Sequence, residues 1–439
     1  MAFRNFDDAA LSRRSLLRGS ALLAAGATLS GLPLGQVALA NVPQSNDWSA
    51  IRAMINEYVG SGKVANMLVA LGEASHDPYA IARGELGLGS SVTANMDSLY
   101  RIYSMTKPIT GMATMMLIDE GKIGLDQPVA EILPAFAEMR VLVDPEGSLD
   151  NTVPANQPIT IRHVLTHTAG LGYDITAKGP LLKAYQANGI TSGQLSRFPI
   201  PGIPNVKSAP GLAAWADRLA TMPLIAQPAT KWSYSAGMDL LGRIIEVASG
   251  QSFDTFLQER LFGPCGMTST WFQVPESEKT RLTDNLGIVM GATIPFDPAG
   301  MSIFLDRPPI LWGGSGLVSS PRDYDRFLRM LLGYGKLEGK RVMGELAVRV
   351  GTSNLLPKTV STEGSWVSGQ GMGAAGRVTS NTFGWGGAAG TLAAVDYKNE
   401  LRMGLFTQYM PADALPVRDR FIAAMLEDLG EAGRDVIIG

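Results

Sequence analysis

Apolar side chains recur every three or four residues in several segments of this chain, a spacing that predicts amphipathic helices. The first such segment runs from Asp47 to Gly60, and the most apolar one runs from Thr106 to Glu120 and stops at Gly121. The same spacing predicts further helices, in chain order, around Leu212–Met222 and Met238–Ser249, from Ser320-Pro321 through Leu332, and over about Leu415–Leu429.

Shorter apolar runs bounded by glycine or polar residues predict β-strands. Two of these runs lie in the first quarter of the chain, at Val64–Leu71 and Leu99–Tyr103. Two more, Thr391–Tyr397 and Leu401–Tyr409, flank the polar tripeptide Lys398-Asn399-Glu400, which predicts a β-hairpin. Strands are therefore expected near both ends of the chain.

The order of these elements predicts an α+β fold. Its simplest architecture is one antiparallel sheet built from both termini and flanked by helices, with a mostly helical insertion domain. We expect residues 41–125 and 311–439 to form the domain that holds the sheet, and residues 126–310 to form the insertion. Part of the insertion, residues 144–210, is rich in glycine and proline, which predicts irregular structure.

The first forty residues have the pattern of a targeting signal. Ser12-Arg13-Arg14-Ser15-Leu16-Leu17-Arg18 is a twin-arginine motif, an apolar stretch follows over residues 21–34, and Ala38-Leu39-Ala40 suits a signal peptidase. The alternative is a membrane anchor. The apolar stretch is shorter than the roughly 20 residues that a span needs, and two glycines and a proline interrupt it. We therefore expect a signal peptide over residues 1–40, no stable membrane anchor, and a periplasmic or secreted protein.

Composition and charge narrow the range of partners. Of the 439 residues, 18% are charged and the formal net charge is −3, which argues against nucleic acid as a partner on electrostatic grounds. Cys265 is the single cysteine, so no internal disulfide can form, and we interpret it as a small buried residue. Three histidines, His76, His163 and His167, do not have the spacing of a typical zinc site. We expect neither a metal nor another cofactor, and the sequence leaves the oligomeric state open.

Several familiar catalytic motifs are missing. The chain has no G-x-S-x-G nucleophile elbow and no Walker A motif. Gly371-x-Gly373-x-x-Gly376 matches the spacing of a dinucleotide-binding loop, but an apparent strand follows it instead of a helix. We interpret these glycines as structural.

The strongest candidate for chemistry is Ser104-Met105-Thr106-Lys107, which opens the most apolar predicted helix. Residues three apart share one face of a helix, so the hydroxyl of Ser104 and the amine of Lys107 would lie side by side. The helix N-terminus and burial both disfavour the ammonium form of Lys107. A neutral lysine could accept the serine proton and so activate a nucleophile. An S-x-x-K pattern by itself is a weak signal, since roughly one is expected by chance in a chain of this length.

Two other segments have candidate roles and simpler alternatives. Tyr234 lies in the polar turn Trp232–Gly237, just before a predicted helix, and it could equally be a solvated turn tyrosine. The segment Thr382–Thr391 contains Trp385-Gly386-Gly387-Ala388 and is rich in glycine. Glycines there would let a ligand lie along a strand edge, although a tight bend of the sheet would also explain them.

Taken together and in this order, the three motifs resemble the serine β-lactamase, penicillin-binding protein and family VIII esterase superfamily. Neighbouring segments, 124–129, 159–171 and 313–324, are also similar to that superfamily, so the resemblance spans nearly the whole chain after the targeting signal. It implies a β-lactamase/transpeptidase-like fold and an acyl-enzyme mechanism.

The resemblance also implies roles for individual residues. Ser104 would be the nucleophile, Lys107 its proton acceptor, and Tyr234 the residue that moves protons to the leaving group and from water. The backbone N–H groups of Ser104 and Ala388 would form the oxyanion hole. His163 and His167 would be structural.

Departures from the superfamily pattern favour esters over lactams. β-Lactamases and transpeptidases normally have an asparagine two residues after the tyrosine, where this chain has Ala236. Their third motif normally begins with a cation, which here is replaced by Trp385. These changes remove hydrogen bonds to a substrate carboxylate and add apolar surface along Trp385, Gly386 and Gly387. Trp312 and Trp366 are further candidates for lining the cleft, although both could be core residues.

These observations predict a serine hydrolase that cleaves small to medium carboxylic esters through a Ser104 acyl-enzyme. A β-lactamase or D-alanyl-D-alanine carboxypeptidase is the alternative with the same chemistry. A non-catalytic binding protein on the same fold is a third alternative, but it would have no reason to keep Ser104, Lys107 and Tyr234 together.

Overall fold

The computed structural model describes residues 47–200, 203–289 and 291–430. The predicted signal peptide lies outside these residues. Within them, no helix is both long enough and apolar enough to cross a membrane.

The α-helices are α1 (Ser49–Gly60), α2 (Thr106–Asp119), α3 (Ile161–Leu165), α4 (Gly179–Ala187), α5 (Leu212–Ala220), α6 (Gly237–Ser249), α7 (Phe253–Leu257), α8 (Gly263–Cys265), α9 (Pro321–Leu332), α10 (Glu345–Gly351) and α11 (Val417–Leu429). Single turns of 3₁₀-helix lie at Tyr103–Met105, Val129–Glu131, Pro134–Phe136, Ala299–Met301, Ile303–Leu305 and Ala412–Ala414, with a longer one at Glu276–Arg281, and Gln258–Phe262 forms a π-helical segment.

The strands are β1 (Asn66–Glu73), β2 (Tyr79–Gly84), β3 (Tyr100–Arg101), β4 (Arg140–Leu142), β5 (Thr152–Pro154), β6 (Thr270–Trp271), β7 (Asn285–Val289), β8 (Ala292–Asp297), β9 (Val318–Ser319), β10 (Lys336–Leu337), β11 (Lys340–Arg341), β12 (Gly371–Met372), β13 (Arg377–Val378), β14 (Thr382–Gly386), β15 (Leu392–Asp396), β16 (Leu401–Phe406) and β17 (Tyr409–Met410).

The central sheet has seven antiparallel strands in the order β12-β13-β14-β15-β16-β1-β2. Its strands come from both ends of the described chain, because β1 pairs with β16 in the register Leu68↔Phe406. This arrangement confirms the predicted α+β fold with one antiparallel sheet built from both termini. The domain limits at residues 125 and 311 stay a prediction.

The two faces of the sheet are covered by different helices. Along β1, Leu68 and Ala70 join the large core that includes α2 and the insertion, whereas Met67, Val69 and Leu71 join a second core with α1 and α11. Such alternation follows from the two-residue period of a strand, and burial on both faces explains why β1 is apolar throughout. The sheet is therefore the middle layer between two layers of helices.

The structure differs from the predicted elements in several places. The strand expected at Leu99–Tyr103 is only β3, because the chain enters a 3₁₀ turn at Tyr103. The strand expected over Leu401–Tyr409 ends at Phe406, where the hydroxyl of Thr407 donates a hydrogen bond to the carbonyl of Asn66. The insertion also contains short strands, β4 to β8, that the hydrophobic pattern did not predict.

Candidate active site

Ser104 lies in a strained turn between β3 and α2. Its neighbour Tyr103 has a φ of 40°, a region that non-glycine residues seldom adopt. The ring of Tyr103 packs edge-on against Phe304, and its hydroxyl accepts a hydrogen bond from Asn285 at 3.1 Å. Such contacts hold the strained residue in place, and strain of this kind is common next to catalytic groups. The turn leaves Ser104 partly exposed, just before α2 begins.

Lys107 projects from the first turn of α2 and is fully buried. Its Nζ lies 3.2 Å from Ser104 Oγ and donates a hydrogen bond to the carbonyl of Gly314 at 2.7 Å. The amine also lies 4.6 Å from the ring centroid of Tyr234. These two hydrogen bonds fix the amine beside the hydroxyl, as the three-residue spacing predicts.

Tyr234 reaches the same hydroxyl from the insertion, with its Oη 2.9 Å from Ser104 Oγ. The structure thus brings the three predicted catalytic side chains together, although Ser104 and Tyr234 are 130 positions apart in the sequence. Ser104 Oγ has two potential proton acceptors within hydrogen-bond distance, which is the geometry that activates a serine nucleophile.

Aromatic rings surround the phenol of Tyr234 on several sides. Its ring centroid lies 5.0 Å from His167, 5.3 Å from Tyr173, 5.0 Å from Trp366 and 5.8 Å from Trp385. Trp366 is 60% exposed and Trp385 is buried, so the ring of Trp366 is the apolar surface beside Tyr234 that is open to solvent.

His167 holds the turn that carries Tyr234. Its Nδ1 accepts a hydrogen bond from the backbone N–H of Ser235 at 3.2 Å and lies 2.9 Å from the Ser235 hydroxyl. Burial lowers the pKa of His167 to about 3, so the ring stays neutral at ordinary pH. His163 caps α3 by a reciprocal pair of hydrogen bonds with Thr160. These contacts are typical of histidines with a structural role.

The glycine-rich segment forms strand β14 and the turn after it. Gly387 lies so close to Ile102 that a Cβ there would collide with its carbonyl oxygen. This contact brings Ala388 next to the turn of Ser104, and its N–H makes no hydrogen bond with the residues that the structure describes. A free N–H group at this position is suited to an oxyanion hole.

The other predicted substrate-binding residues divide into two groups. Trp385, Gly386 and Gly387 lie along β14 and its following turn, and the ring of Trp366 contacts that of Tyr234. Trp312 requires a correction, because it is only 1% exposed and its indole donates to the carbonyl of Thr191 at 2.8 Å. Trp312 is a core residue that positions the segment preceding Gly314, not a surface for substrate.

Asp239 is a site residue that sequence patterns did not reveal. It lies in the first turn of α6, is fully buried, and accepts a hydrogen bond from the N–H of Gly314 at 2.8 Å. Its second oxygen has no hydrogen-bond partner among the described residues. Burial raises the pKa of Asp239 to about 7, although the hydrogen bond from Gly314 and the charge of Lys107 oppose that rise. In the sequence, Asp239 is recognisable only as an isolated acidic residue near the start of an apolar predicted helix.

Asp239 is not part of a metal site of the usual kind. Over the ranges that the structure describes, no group of three His, Cys, Asp or Glu side chains is placed to hold a metal ion. The chemistry that the side chains around Ser104 can perform is proton transfer to and from a serine nucleophile.

Comparison with known proteins finds similar sequences over most of this chain. The family model described as Beta-lactamase matches residues 51–427. Protein Rv1367c of Mycobacterium tuberculosis is 34% identical over 347 residues, which cover 75% of this chain and 82% of that protein. The lovastatin esterase of Penicillium rubens is 29% identical over 62% of this chain and 66% of the esterase.

A solved structure also shares the fold. EstCE1, described as a hydrolase with promiscuous acyltransferase activity, aligns with a TM-score of 0.68 at 21% identity, over 85% of this chain and 97% of EstCE1. At that level of identity the likeness concerns the fold.

Proposed function

This chain belongs to the beta-lactamase family, and we propose that it is an esterase that works through an acyl-enzyme on Ser104. It is a serine hydrolase acting on small-molecule esters, in keeping with its esterase relatives. The proposal rests on two distances: Ser104 Oγ lies 3.2 Å from Lys107 Nζ and 2.9 Å from Tyr234 Oη.

The geometry supports a two-step reaction. In the first step Ser104 Oγ attacks the ester carbonyl carbon and gives its proton to Lys107, while the N–H groups of Ser104 and Ala388 bind the oxyanion. Tyr234 then passes a proton to the departing alcohol, and the acyl group stays on Ser104. In the second step water attacks the acyl carbonyl carbon and gives one proton to Tyr234, which restores its hydroxyl. The bond to Ser104 Oγ then breaks, the ammonium of Lys107 returns its proton to Ser104, and the carboxylic acid leaves.

The surroundings of the nucleophile favour a neutral ester over a lactam. Ala236 is buried and its backbone N–H bonds to the carbonyl of Gly172, so no side-chain amide reaches Ser104 from this position. Trp385 stacks against Tyr234 at the position where β-lactamases carry a cation. An apolar acyl or alkoxy group can pack on Trp385 and Trp366.

A single substitution tests this proposal. We expect Ser104→Ala to abolish hydrolysis of p-nitrophenyl butyrate, and intact-protein mass spectrometry to detect an acyl adduct on wild-type protein only. Ser315→Ala is a matched control, because Ser315 is a buried serine near the cleft that bonds to the carbonyl of Ser192. Wild-type turnover by Ser104→Ala would disprove the mechanism, and much faster turnover of nitrocefin would favour the β-lactamase alternative.

We also propose that the protein is exported by the twin-arginine route to the periplasm or beyond. The support is the motif around Arg13-Arg14, the apolar stretch after it and Ala38-Leu39-Ala40. A reporter fused to residues 1–45 should be exported, and Arg13→Lys together with Arg14→Lys should retain it in the cytoplasm. Export of the double-lysine fusion at the wild-type level would contradict this route.

A further inference from the structure

A cavity of about 230 Å³ lies against β14, the strand that leads into the oxyanion segment. Arg377 of β13 and Arg418 of α11 line it, together with Trp385, Gly386, Asp419 and neighbouring apolar, glycine and threonine residues. A Cβ on Gly386 would lie 3.0 Å from the central guanidinium carbon of Arg418. The missing side chain at Gly386 therefore lets this guanidinium lie directly against the strand.

Neither guanidinium in this cavity is in direct contact with a carboxylate of the described residues. Arg377 donates to the carbonyl of Trp366 at 3.2 Å and Arg418 donates to the carbonyl of Gly387, but the Nε atom of each is buried without a hydrogen-bond partner. Among the described residues, no carboxylate forms an ion pair with either arginine. Asp419 lines the same cavity, but its side chain is exposed.

Arg377 and Arg418 are half-buried, and their surroundings differ from those of two fully buried arginines in this chain. Arg101 and Arg402 are fully buried, and each forms an ion pair with a carboxylate, Asp297 at 2.6 Å and Asp325 at 2.9 Å. The fold thus neutralises those guanidinium groups, as expected from the cost of burying an unpaired charge. Arg377 and Arg418 are left without such a partner, and burial together with the charge of Arg418 lowers the pKa of Arg377 to about 10.

We propose that Arg377 and Arg418 form a binding site for a small oxyanion, such as a carboxylate or a phosphate. Guanidinium groups bind such anions through paired N–H donors, and both arginine side chains line this cavity. The two arginines supply the positive charge in this cavity. The other buried residues that line it are apolar residues, threonines and glycines.

The cavity adjoins the proposed catalytic site at two points. Arg377 lies 5.4 Å from the ring of Trp385, whose ring also stacks on Tyr234. Arg418 holds the carbonyl of Gly387, the residue before Ala388. The anion could be an acidic group of the ester itself, which rests on the proposed function, or a free oxyanion that binds independently.

Direct binding measurements test the site without using catalysis. We expect titration calorimetry on Ser104→Ala protein to show binding of inorganic phosphate and of succinate, at an ionic strength held constant with sodium chloride. Adding Arg377→Gln or Arg418→Gln should weaken binding by about tenfold or more, the effect of losing one charged hydrogen-bond donor. Arg420→Gln is the matched control, because Arg420 lies on the same helix and pairs with Glu57.

Absence of binding to the parent protein, or equal binding to the doubly substituted Arg377→Gln/Arg418→Gln protein, would overturn the proposal. If a glutamine variant does not fold, Arg377→Lys and Arg418→Lys keep the charge and remove the paired donors. Those variants should still bind phosphate, but several-fold more weakly than the parent.

A pair of esters of similar length identifies the source of the anion. If the anion belongs to the substrate, Arg377→Gln should lower kcat/KM for mono-p-nitrophenyl succinate about tenfold more than for p-nitrophenyl butyrate. If the site takes a free oxyanion, phosphate should bind with the same affinity in the presence of either ester. Lack of ester turnover would contradict the proposed function and would leave the phosphate titration interpretable.

Discussion

Asp239 and Lys107 are joined through a single residue, Gly314, which donates its N–H to Asp239 Oδ1 and accepts a hydrogen bond from Lys107 Nζ. A Cβ on Gly314 would lie 3.3 Å from both Lys107 Nζ and Asp239 Oδ1. The amine and the carboxyl group therefore lie on the same side of this peptide, and glycine leaves room for both. An ionised Asp239 can therefore stabilise the ammonium that forms when Lys107 takes the serine proton.

Asp239→Asn is expected to change the pH dependence of catalysis. Since the pKa of Asp239 is raised to about 7, wild-type kcat/KM should rise as the pH increases through 7. The amide oxygen of the variant can still accept the hydrogen bond from Gly314, but the side chain has no charge. The rise should therefore be lost, and kcat/KM at pH 8 should fall by about tenfold. Asp119→Asn is a control, because Asp119 is a half-buried acid at the C-terminal end of α2 that accepts a hydrogen bond from the N–H of Gly344 at 3.1 Å.

The same substitution is expected to affect the pH dependence of stability. Asp239 binds its proton more tightly in the folded than in the unfolded chain, so it lowers the free energy of unfolding as the pH rises from about 4 to 7. In Asp239→Asn this decline should be smaller, which urea denaturation at pH 5 and pH 8 would measure. Identical pH profiles for both proteins, in activity and in stability, would exclude a role for the charge.

Tyr234→Phe should lower kcat by about 10² to 10⁴-fold, the range for loss of a general acid–base group. The ring remains, so its packing against Trp366 and Trp385 should persist and the melting temperature should change little. Tyr173→Phe is a suitable control, since Tyr173 packs edge-on against Tyr234 at 5.3 Å but is not hydrogen-bonded to Ser104. Equal losses in both variants would indicate a structural role for the phenol.

Gly387→Ala tests the contact that places the oxyanion segment. The new methyl group would meet the carbonyl of Ile102 and the hydroxyl of Thr391, so the segment must shift away from Ser104. Overpacking of this kind costs about 1–3 kcal/mol of stability, and displacement of an oxyanion donor should lower kcat about 10² to 10³-fold. Gly300→Ala is the control, because a Cβ there meets no atom within 4 Å. Unchanged kcat in Gly387→Ala would contradict the role given to this segment.

Trp366→Ala should alter the preference for acyl length. The exposed ring of Trp366 lies 5.0 Å from Tyr234, so a longer acyl chain can pack on it where acetate does not reach. We expect KM for p-nitrophenyl hexanoate to rise more than KM for the acetate ester. Tyr79→Ala removes another exposed ring, on the edge strand β2 far from the site, and should leave both values unchanged. A uniform change for both esters would count against a specificity role.

Local patterns were sufficient to predict much of this molecule. The periodicity of residues 320–332 and 238–249 identifies α9 and α6 to within about one residue, and the spacing of Ser104 and Lys107 predicts their contact. Tyr234 could be included only through the resemblance to known enzymes, since nothing local shows that it reaches Ser104.

Contacts between distant segments could not be predicted in this way. Asp239 looks like an ordinary acidic residue of a helix until the fold brings Gly314 against it. Arg377 and Arg418 lie in separate elements with several strands between them in the chain, and only the packing of α11 on the sheet brings them to one cavity. Trp312 shows the converse, because an aromatic residue beside a glycine-rich segment turned out to be core.

The pairing of β1 with β16 has a consequence for the order in which the protein can be made. During translation, β1 and the serine turn emerge from the ribosome long before the strand that completes their side of the sheet, since Leu68 pairs with Phe406. Contacts of such long sequence separation form slowly, and a nascent chain exposes the apolar edge of β1 until then. A chain that stops before residue 401 lacks the middle of its sheet, so premature termination should yield aggregation-prone fragments and not a smaller enzyme.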